Sequence, residues 1–358
     1  MSQHQQQPPN DLTESVLRTV QVLALLLIFI CIGWLMVVGR SVLVPFVGAL
    51  TLWFLVSRLA LQLQRIPKIG ARMPRWLSLA LSTFILLRTT VAIVVWSADS
   101  LDDMVERLPM YQANLDRLLF DLSMLIGFDD PPTLDSILDR IDVEEIGTYA
   151  AMSLGGSLAS FSMVLLFLVF IFVDQTNFSQ KLSVMFGQTE RRKRLEHTLD
   201  TINHKIGSYL SIKALTGLIS AVLAYIVMYF VDLDFAPVWA VFIFLLHLVP
   251  SVGTALGIAI PVLVSALQFG FSFQPLIILA GVGGVKFIVG NFIEPAMMGH
   301  SMNLSPTVII LSMVVFGSMW GIVGMILSVP MLVIVVTTLG AFKSTRSIAT
   351  WLTEDGHI

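Results

Sequence analysis

A chain of 358 residues in which 56% are hydrophobic and only 13% are charged, with a mean hydropathy of +0.85, is not built to be surrounded by water, since soluble domains carry about 25% charged residues. A net charge of −3 without a long basic block argues against nucleic acid as a partner. The single cysteine, Cys31, excludes an intrachain disulfide framework.

Residues 1–17 form a polar, Gln-rich N-terminal tail. A membrane helix needs about 20 apolar residues to cross roughly 30 Å of hydrocarbon. The region 18–97 holds three such runs, 19–39, 42–62 (interrupted by Arg58) and 76–97. The first is too long for a signal-peptide core and reads as a retained helix. Residues 98–150 are different in kind, with thirteen acids against Arg107, Arg117 and Arg140. Leu101, Met104, Val105, Leu108, Leu115, Leu118, Leu119 and Leu122 recur at steps of three and four, the mark of one apolar helix face. A second short helix is expected after Pro131-Pro132. These faces suit packing on the membrane domain or on a second copy of the chain, a homo-oligomer.

A further crossing is expected within 151–174, followed by a basic cytoplasmic linker, 175–206, whose helical periodicity leads straight into the next apolar run. The region 207–342 is the C-terminal membrane core. It contains runs at 207–231 and 275–293 and two oversized stretches, Pro237–Gln268 and Ser305 to about Gly340. Each would be roughly 50 Å long as a straight helix, and each is broken by glycine and proline. They either cross once as kinked helices or turn back as half-helix pairs. Residues 343–358 form a polar tail. The expected fold is an all-α membrane protein with about eight transmembrane helices, Gly/Pro-broken segments in its C-terminal half, and a small helical extramembrane module. Arginine and lysine cluster in 58–75 and 175–206, which places both loops, and both termini, in the cytoplasm and the acidic module outside.

An ordered set of short motifs carries a family resemblance. It includes Val249-Pro250-Ser251-Val252-Gly253, Pro261, Gly290-Asn291-Phe292-Ile293-Glu294-Pro295, Leu304-Ser305-Pro306, Trp320-Gly321-Ile322-Val323-Gly324 and Leu327-Ser328-Val329-Pro330. Val44-Pro45-Phe46, Met73-Pro74-Arg75 and Leu108-Pro109 extend it toward the N-terminus. In this order the set resembles the autoinducer-2 exporter family of bacterial inner-membrane transporters. His247 departs from the pattern, standing where many relatives have a small polar residue such as Asn. The resemblance implies export of a small polar metabolite or quorum-sensing signal such as autoinducer-2, with sodium–proton antiport as the alternative that some relatives suggest.

Ionisable groups at membrane depth cost about 2.5–3.5 kcal/mol each on insertion scales, so they are paired, wet or both. Glu294, beside the helix-breaking Pro295, is the carboxylate suited to loading a proton or cation. Lys286, about two turns earlier, is placed to neutralise Glu294 through an intervening group, to meet another carboxylate, or to hold an anionic or carbonyl-rich substrate. Arg88 lies near the centre of its run and calls for a partner. Lys213 sits near enough to the cytoplasmic edge to reach it. His247 and Asn291 add polar groups without fixed charge, and His247 titrates near neutral pH in the unperturbed state. The breaks at Pro250, Gly253 and Pro261 resemble those at Gly321, Gly324 and Pro330, in the manner of an internal repeat. Secondary transporters bind substrate where half-helix ends meet at such breaks; helix packing by small residues is the plainer use of the same glycines.

No Gly-Lys-Ser/Thr nucleotide loop, His-Glu-x-x-His pair or Gly-x-Ser-x-Gly elbow occurs. An enzyme, a cofactor and a metal site are therefore not expected. The reading is a secondary or facilitated transporter, with a small polar substrate, the bilayer, and a proton or sodium ion as its partners. A membrane scaffold is the non-transport alternative.

Overall fold

The computed structural model describes residues 11–66, 73–126, 143–187, 189–299 and 303–356. The tail before Asp11 and the helix expected after Pro131-Pro132 fall outside them. The described residues are helical, in the order α1 (Asp11–Val38), α2 (Arg40–Gln64), α3 (Arg75–Ile126), α4 (Val143–Phe186), α5 (Glu190–Phe230), α6 (Ala236–His247), α7 (Val252–Phe269) and α8 (Phe273–Ile288). A π-helical turn, Val289–Ile293, joins α8 to α9 (Glu294–Met298), and α10 (Pro306–Ala341) and α11 (Arg346–Leu352) complete the chain.

Several helices run far beyond membrane thickness. The 52 residues of α3 would span about 78 Å if straight, so the third apolar run continues as helix into the acidic segment, through Pro109. The basic linker likewise continues into the following apolar run as the single helix α5. α4 bends by 61° between its Ser160–Gln175 and Gln180–Phe186 parts.

Among the described residues, five helical segments are long and apolar enough to cross a bilayer: α2, α5, α7, Phe273–Met298 and α10. The bent α4 makes six if it counts as one span. The expectation of about eight spans is not confirmed: the runs expected at 19–39 and 76–97 are missing from that count, whereas the two oversized stretches are in it as α7 and α10. The first contains α6 and α7. On a straight helix Ile243 and Gly257 would be roughly 21 Å apart, yet a Cβ on Gly257 would lie 3.9 Å from Ile243 Cγ1. At the open end, Asp234 N–H donates to Gln268 Oε1 (2.8 Å) and Gln268 Nε2 donates to the Asp232 carbonyl (2.9 Å). The chain therefore reverses at Leu248–Ser251. Pro250 lacks the N–H that would continue the helix, Ser251 takes φ 58°, and Gly253 packs on the Leu246 carbonyl where a Cβ has no room.

α10 reverses in the same way. Straight, its 36 residues would be roughly 54 Å long, and the seven-residue α11 could not bring the chain back for Ser305 N–H to donate to the Leu352 carbonyl at 3.1 Å. The reversal is at Gly321 (φ 65°, ψ −146°), a conformation that glycine adopts without a Cβ clash. Gly324 then packs against the Phe316 carbonyl with no space for a side chain.

α5 stands between these two hairpins. Near its N-terminal half, Ile206, Tyr209 and Leu210 share a core with Leu304, Val329, Leu332 and Val336 at the base of the α10 hairpin. Towards its C-terminus, Ala221, Ala224 and Met228 pack with Leu233, Ala236, Ile243, Ile278 and Val282. The small residues permit close approach; a Cβ on Gly281 would lie 2.5 Å from Val227 Cγ1. The hairpins thus open toward opposite ends of α5. On the outside of the bundle, side chains such as Trp34, Phe84, Phe170, Phe230 and Phe287 are exposed, an apolar surface larger than water-soluble monomers present.

Candidate functional site

Between the two cores, α5 carries a polar stripe. Tyr209, Lys213, Thr216 and Ser220 recur at helical spacing and all are buried. Lys213 and Thr216 face the tip of the α6–α7 hairpin and the π-helical turn, where five polar side chains converge. Lys213 Nζ lies 2.6 Å from Glu294 Oε1, and Glu294 Oε2 lies 3.2 Å from His247 Nε2. The same imidazole nitrogen is 2.9 Å from Thr216 Oγ1. On the other side of the ring, Lys286 Nζ approaches His247 Nδ1 at 3.4 Å and the Ile243 carbonyl at 3.5 Å. Lys286 is 2% exposed and His247 4%.

Local geometry explains this convergence. Eight residues of α-helix turn through roughly 800°, which would leave Glu294 about 80° around from Lys286. The π-helical turn absorbs one extra residue, which brings the carboxylate back toward the Lys286 face. Gly257 gives the lysine its passage: a Cβ there would lie 3.1 Å from Lys286 Cε. Gly217 does the same for the histidine, with His247 Cδ2 at 3.2 Å from the Cβ position.

The partners assign the histidine tautomer. Thr216 Oγ1 donates its proton to the Ile212 carbonyl (2.8 Å) and so accepts from His247. A neutral imidazole protonated on Nε2 donates to Thr216 and Glu294 and accepts from Lys286 at Nδ1. The result is a continuous path, Lys286–His247–Glu294–Lys213, along which a proton can be passed. With both lysines charged and the imidazole neutral, the cluster bears one positive charge more than it balances. Tyr209, one turn before Lys213, has a buried hydroxyl with no hydrogen-bond partner among the described residues, as do Ser220 and Ser265.

The other residues singled out from sequence lie elsewhere. Pro250 and Gly253 are at the tip of the first hairpin and Gly321 and Gly324 at that of the second, while Pro261 and Pro330 are buried within the returning arms. Asn291 is exposed and donates within its own helix to the Phe287 carbonyl (2.9 Å). Arg88 is exposed and makes no ion pair among the described residues. Lys213 and Thr216 were not among the residues expected at the site. The period of the α5 polar stripe is the signal that finds them.

A profile of the AI-2E family transporters matches residues 23–344. The AI-2 transport protein TqsA of Escherichia coli (strain K12) is 27% identical over 351 residues, covering 96% of this chain and 97% of its own. The "Putative transport protein YhhT" of the same strain is 28% identical over 262 residues, 72% of this chain and 74% of its own. A protein of Haemophilus influenzae with the same general designation is 30% identical over 271 residues, covering 73% and 76%.

Proposed function

This chain belongs to the AI-2E family of transporters, and on that premise we propose that it exports a small polar metabolite or quorum-sensing signal of the autoinducer-2 kind across a bacterial inner membrane. The observation that carries the reading is the buried Lys213–Glu294–His247–Lys286 cluster at the tip of a helical hairpin. Ionisable groups buried in a membrane protein are costly, and where they occur they mark substrate or ion pathways. The relative TqsA, named for AI-2 transport, aligns along nearly the whole chain and supports the choice of solute.

In this reading both hairpins enter the membrane from opposite sides and return, their irregular tips lying where protein or a wet cavity surrounds them. The charge pattern puts the Arg58–Arg75 loop, the 190–206 part of α5 and both termini in the cytoplasm, and the far end of α3 outside. Transport proceeds by alternating access around the two tips, as a secondary or facilitated process. Glu294 holds a proton in one state and Lys213 in the other, while His247 relays between Glu294 and Lys286. Assembly into a homo-oligomer through the long α3 helix belongs to the same proposal.

One observation favours a second reading. A buried carboxylate salt-bridged to a lysine is a site from which a cation can displace the ammonium, which is the arrangement sodium–proton antiport requires. A scaffold has no use for the cluster. Autoinducer-2 efflux from loaded proteoliposomes, with and without an imposed pH gradient, separates these readings. Protein-dependent efflux that accelerates with the gradient and is lost in Glu294→Gln is the expected result. No efflux from folded wild-type protein, together with sodium-driven proton movement, moves the assignment to antiport.

A further inference from the structure

A polar cavity of about 270 Å³ lies between α2, α3, α4 and α5, away from the Glu294 cluster. Arg58, Arg75, Gln175, Asn203 and His204 line it, with Asp200 the single acid on its wall. Arg58 donates to the His204 carbonyl (3.1 Å), and its guanidinium lies against Gly207, where any side chain would displace it. Neither Arg58 nor Arg75 forms an ion pair with an acid among the described residues. Ser57 adds a buried hydroxyl with no hydrogen-bond partner among those residues.

This cavity shares Arg75, Leu79 and Gln175 with a second, larger space of about 910 Å³. The second space is an apolar groove between α3 and α4, walled by Phe84, Leu87, Leu165, Val169 and Phe172. Trp76, 69% exposed, lines the groove next to the shared Arg75. Tryptophan favours the headgroup level of a membrane, and the charge pattern puts this end of α2 and α3 on the cytoplasmic side. A basic, hydrogen-bonding chamber at headgroup depth thus opens directly onto an apolar channel that runs along two membrane helices.

We propose that these two spaces form one binding site for an anionic glycerophospholipid of the cytoplasmic leaflet, its phosphate between Arg58 and Arg75 and one acyl chain in the α3–α4 groove. Both halves point to that class. A free phosphate or carboxylate leaves the groove unfilled, and a zwitterionic lipid brings a cation to two arginines. A neighbouring protein copy in the groove leaves the guanidinium chamber without a charge partner. Anionic lipids are concentrated at that surface by juxtamembrane basic residues, and Arg191, Arg192, Lys193 and Arg194 supply a cluster of them at the start of α5.

The full chain, purified in detergent, is offered phosphatidylglycerol, phosphatidylcholine or glycerol 3-phosphate, and the retained ligand is read by native mass spectrometry. Phosphatidylglycerol is expected to be kept about tenfold better than phosphatidylcholine, and glycerol 3-phosphate not at all. Arg75→Gln, at an exposed position, is expected to reduce phosphatidylglycerol retention about fivefold. Ala80→Trp, which fills the groove from another exposed position, is expected to reduce retention of both lipids with the melting temperature unchanged. Equal retention of the two lipids overturns the headgroup assignment. Binding of glycerol 3-phosphate as strong as that of phosphatidylglycerol makes the chamber a free-anion site. Loss of a dimer or higher oligomer in Ala80→Trp without loss of lipid assigns the groove to a second copy.

Discussion

The α6–α7 hairpin and the α10 hairpin reverse by the same device: a Val-Gly pair opens the returning arm, its glycine lies against a carbonyl of the outgoing arm, and a proline follows within the returning helix. They differ in what their tips hold. The α10 stretch, Pro306–Ala341, contains no Asp, Glu, Lys, Arg, His, Cys or Tyr. Its tip is fastened by Trp320, which donates to the Met36 carbonyl (3.0 Å) and packs with Val47 and Leu327. The α6–α7 hairpin has one titratable residue, His247, and that residue meets the buried charges of α5, α8 and α9. A shared backbone form has chemistry at one end only. The comparison teaches that a reversal creates a place for a site, and a few side chains on the neighbouring helices decide whether the place is used.

The largest effect that would sharpen this contrast is loss of the carboxylate. Glu294→Gln leaves Lys213 buried without its counter-charge, and removing one member of a buried pair costs about 3–5 kcal/mol. A large drop in thermal melting temperature is expected, alongside the lost flux. A similar drop from Trp320→Phe would erase the distinction between the tips.

The shared backbone form is tested next. Gly253→Ala and Gly324→Ala each set a methyl against a carbonyl, and overpacking of this kind costs about 1–3 kcal/mol or more. The two variants are expected to lose similar stability in chemical denaturation. If one is silent, the two reversals do not share a mechanism.

His247→Gln is expected to be milder in stability and sharper in function. An amide can still bond Glu294 but cannot pass a proton from one side of the ring to the other, so flux is expected to fall about tenfold with a flattened pH profile. An unchanged profile would remove His247 from the relay.

The smallest effect is at the open end of the first hairpin. Arg107 and Tyr111 of α3 bond the two oxygens of Asp234 at 2.7 and 2.9 Å, and Asn114 donates to the Leu267 carbonyl at 2.9 Å. Burial, and then the Asp234 hydrogen bond, push the Tyr111 phenol above its ordinary range. The protonated form is the one that the fold favours. Its contribution is therefore fully present below the unfolded-state pKa, about 10, and is lost as pH rises through the higher folded value. Tyr111→Phe is expected to cost about 1 kcal/mol and to remove that part of the alkaline dependence of stability.

Much of this was legible in the residues themselves. Low charge and long apolar runs identify a helical membrane protein, the ordered Gly/Pro motifs carry the family, and Pro250, Gly253, Gly321 and Gly324 mark where the chain turns. The reversals were not readable, because a 36-residue apolar run has the same composition whether it is straight or folded back; only contacts such as that of Ser305 with Leu352 decide it. Glu294, Lys286 and His247 stood out as charges or polar groups in apolar surroundings, and the structure brings these three together. Arg88 stood out for the same reason and remains apart. Lys213 looked like a residue near the membrane edge because sequence distance from the basic linker says nothing about depth once the linker and the following run are one long helix. The π-helical turn, which sets the facing of Glu294, has no signature that periodicity alone detects.

The most direct test of the claim that the buried cluster carries transport is solute flux through the double variant Glu294→Gln, Lys213→Met in proteoliposomes. Removing both charges avoids the unpaired lysine, so melting is expected within a few degrees of wild type, while protein-dependent efflux falls to the level of empty vesicles. Wild-type efflux from that folded variant, which lacks the Glu294–Lys213 pair, would contradict the account.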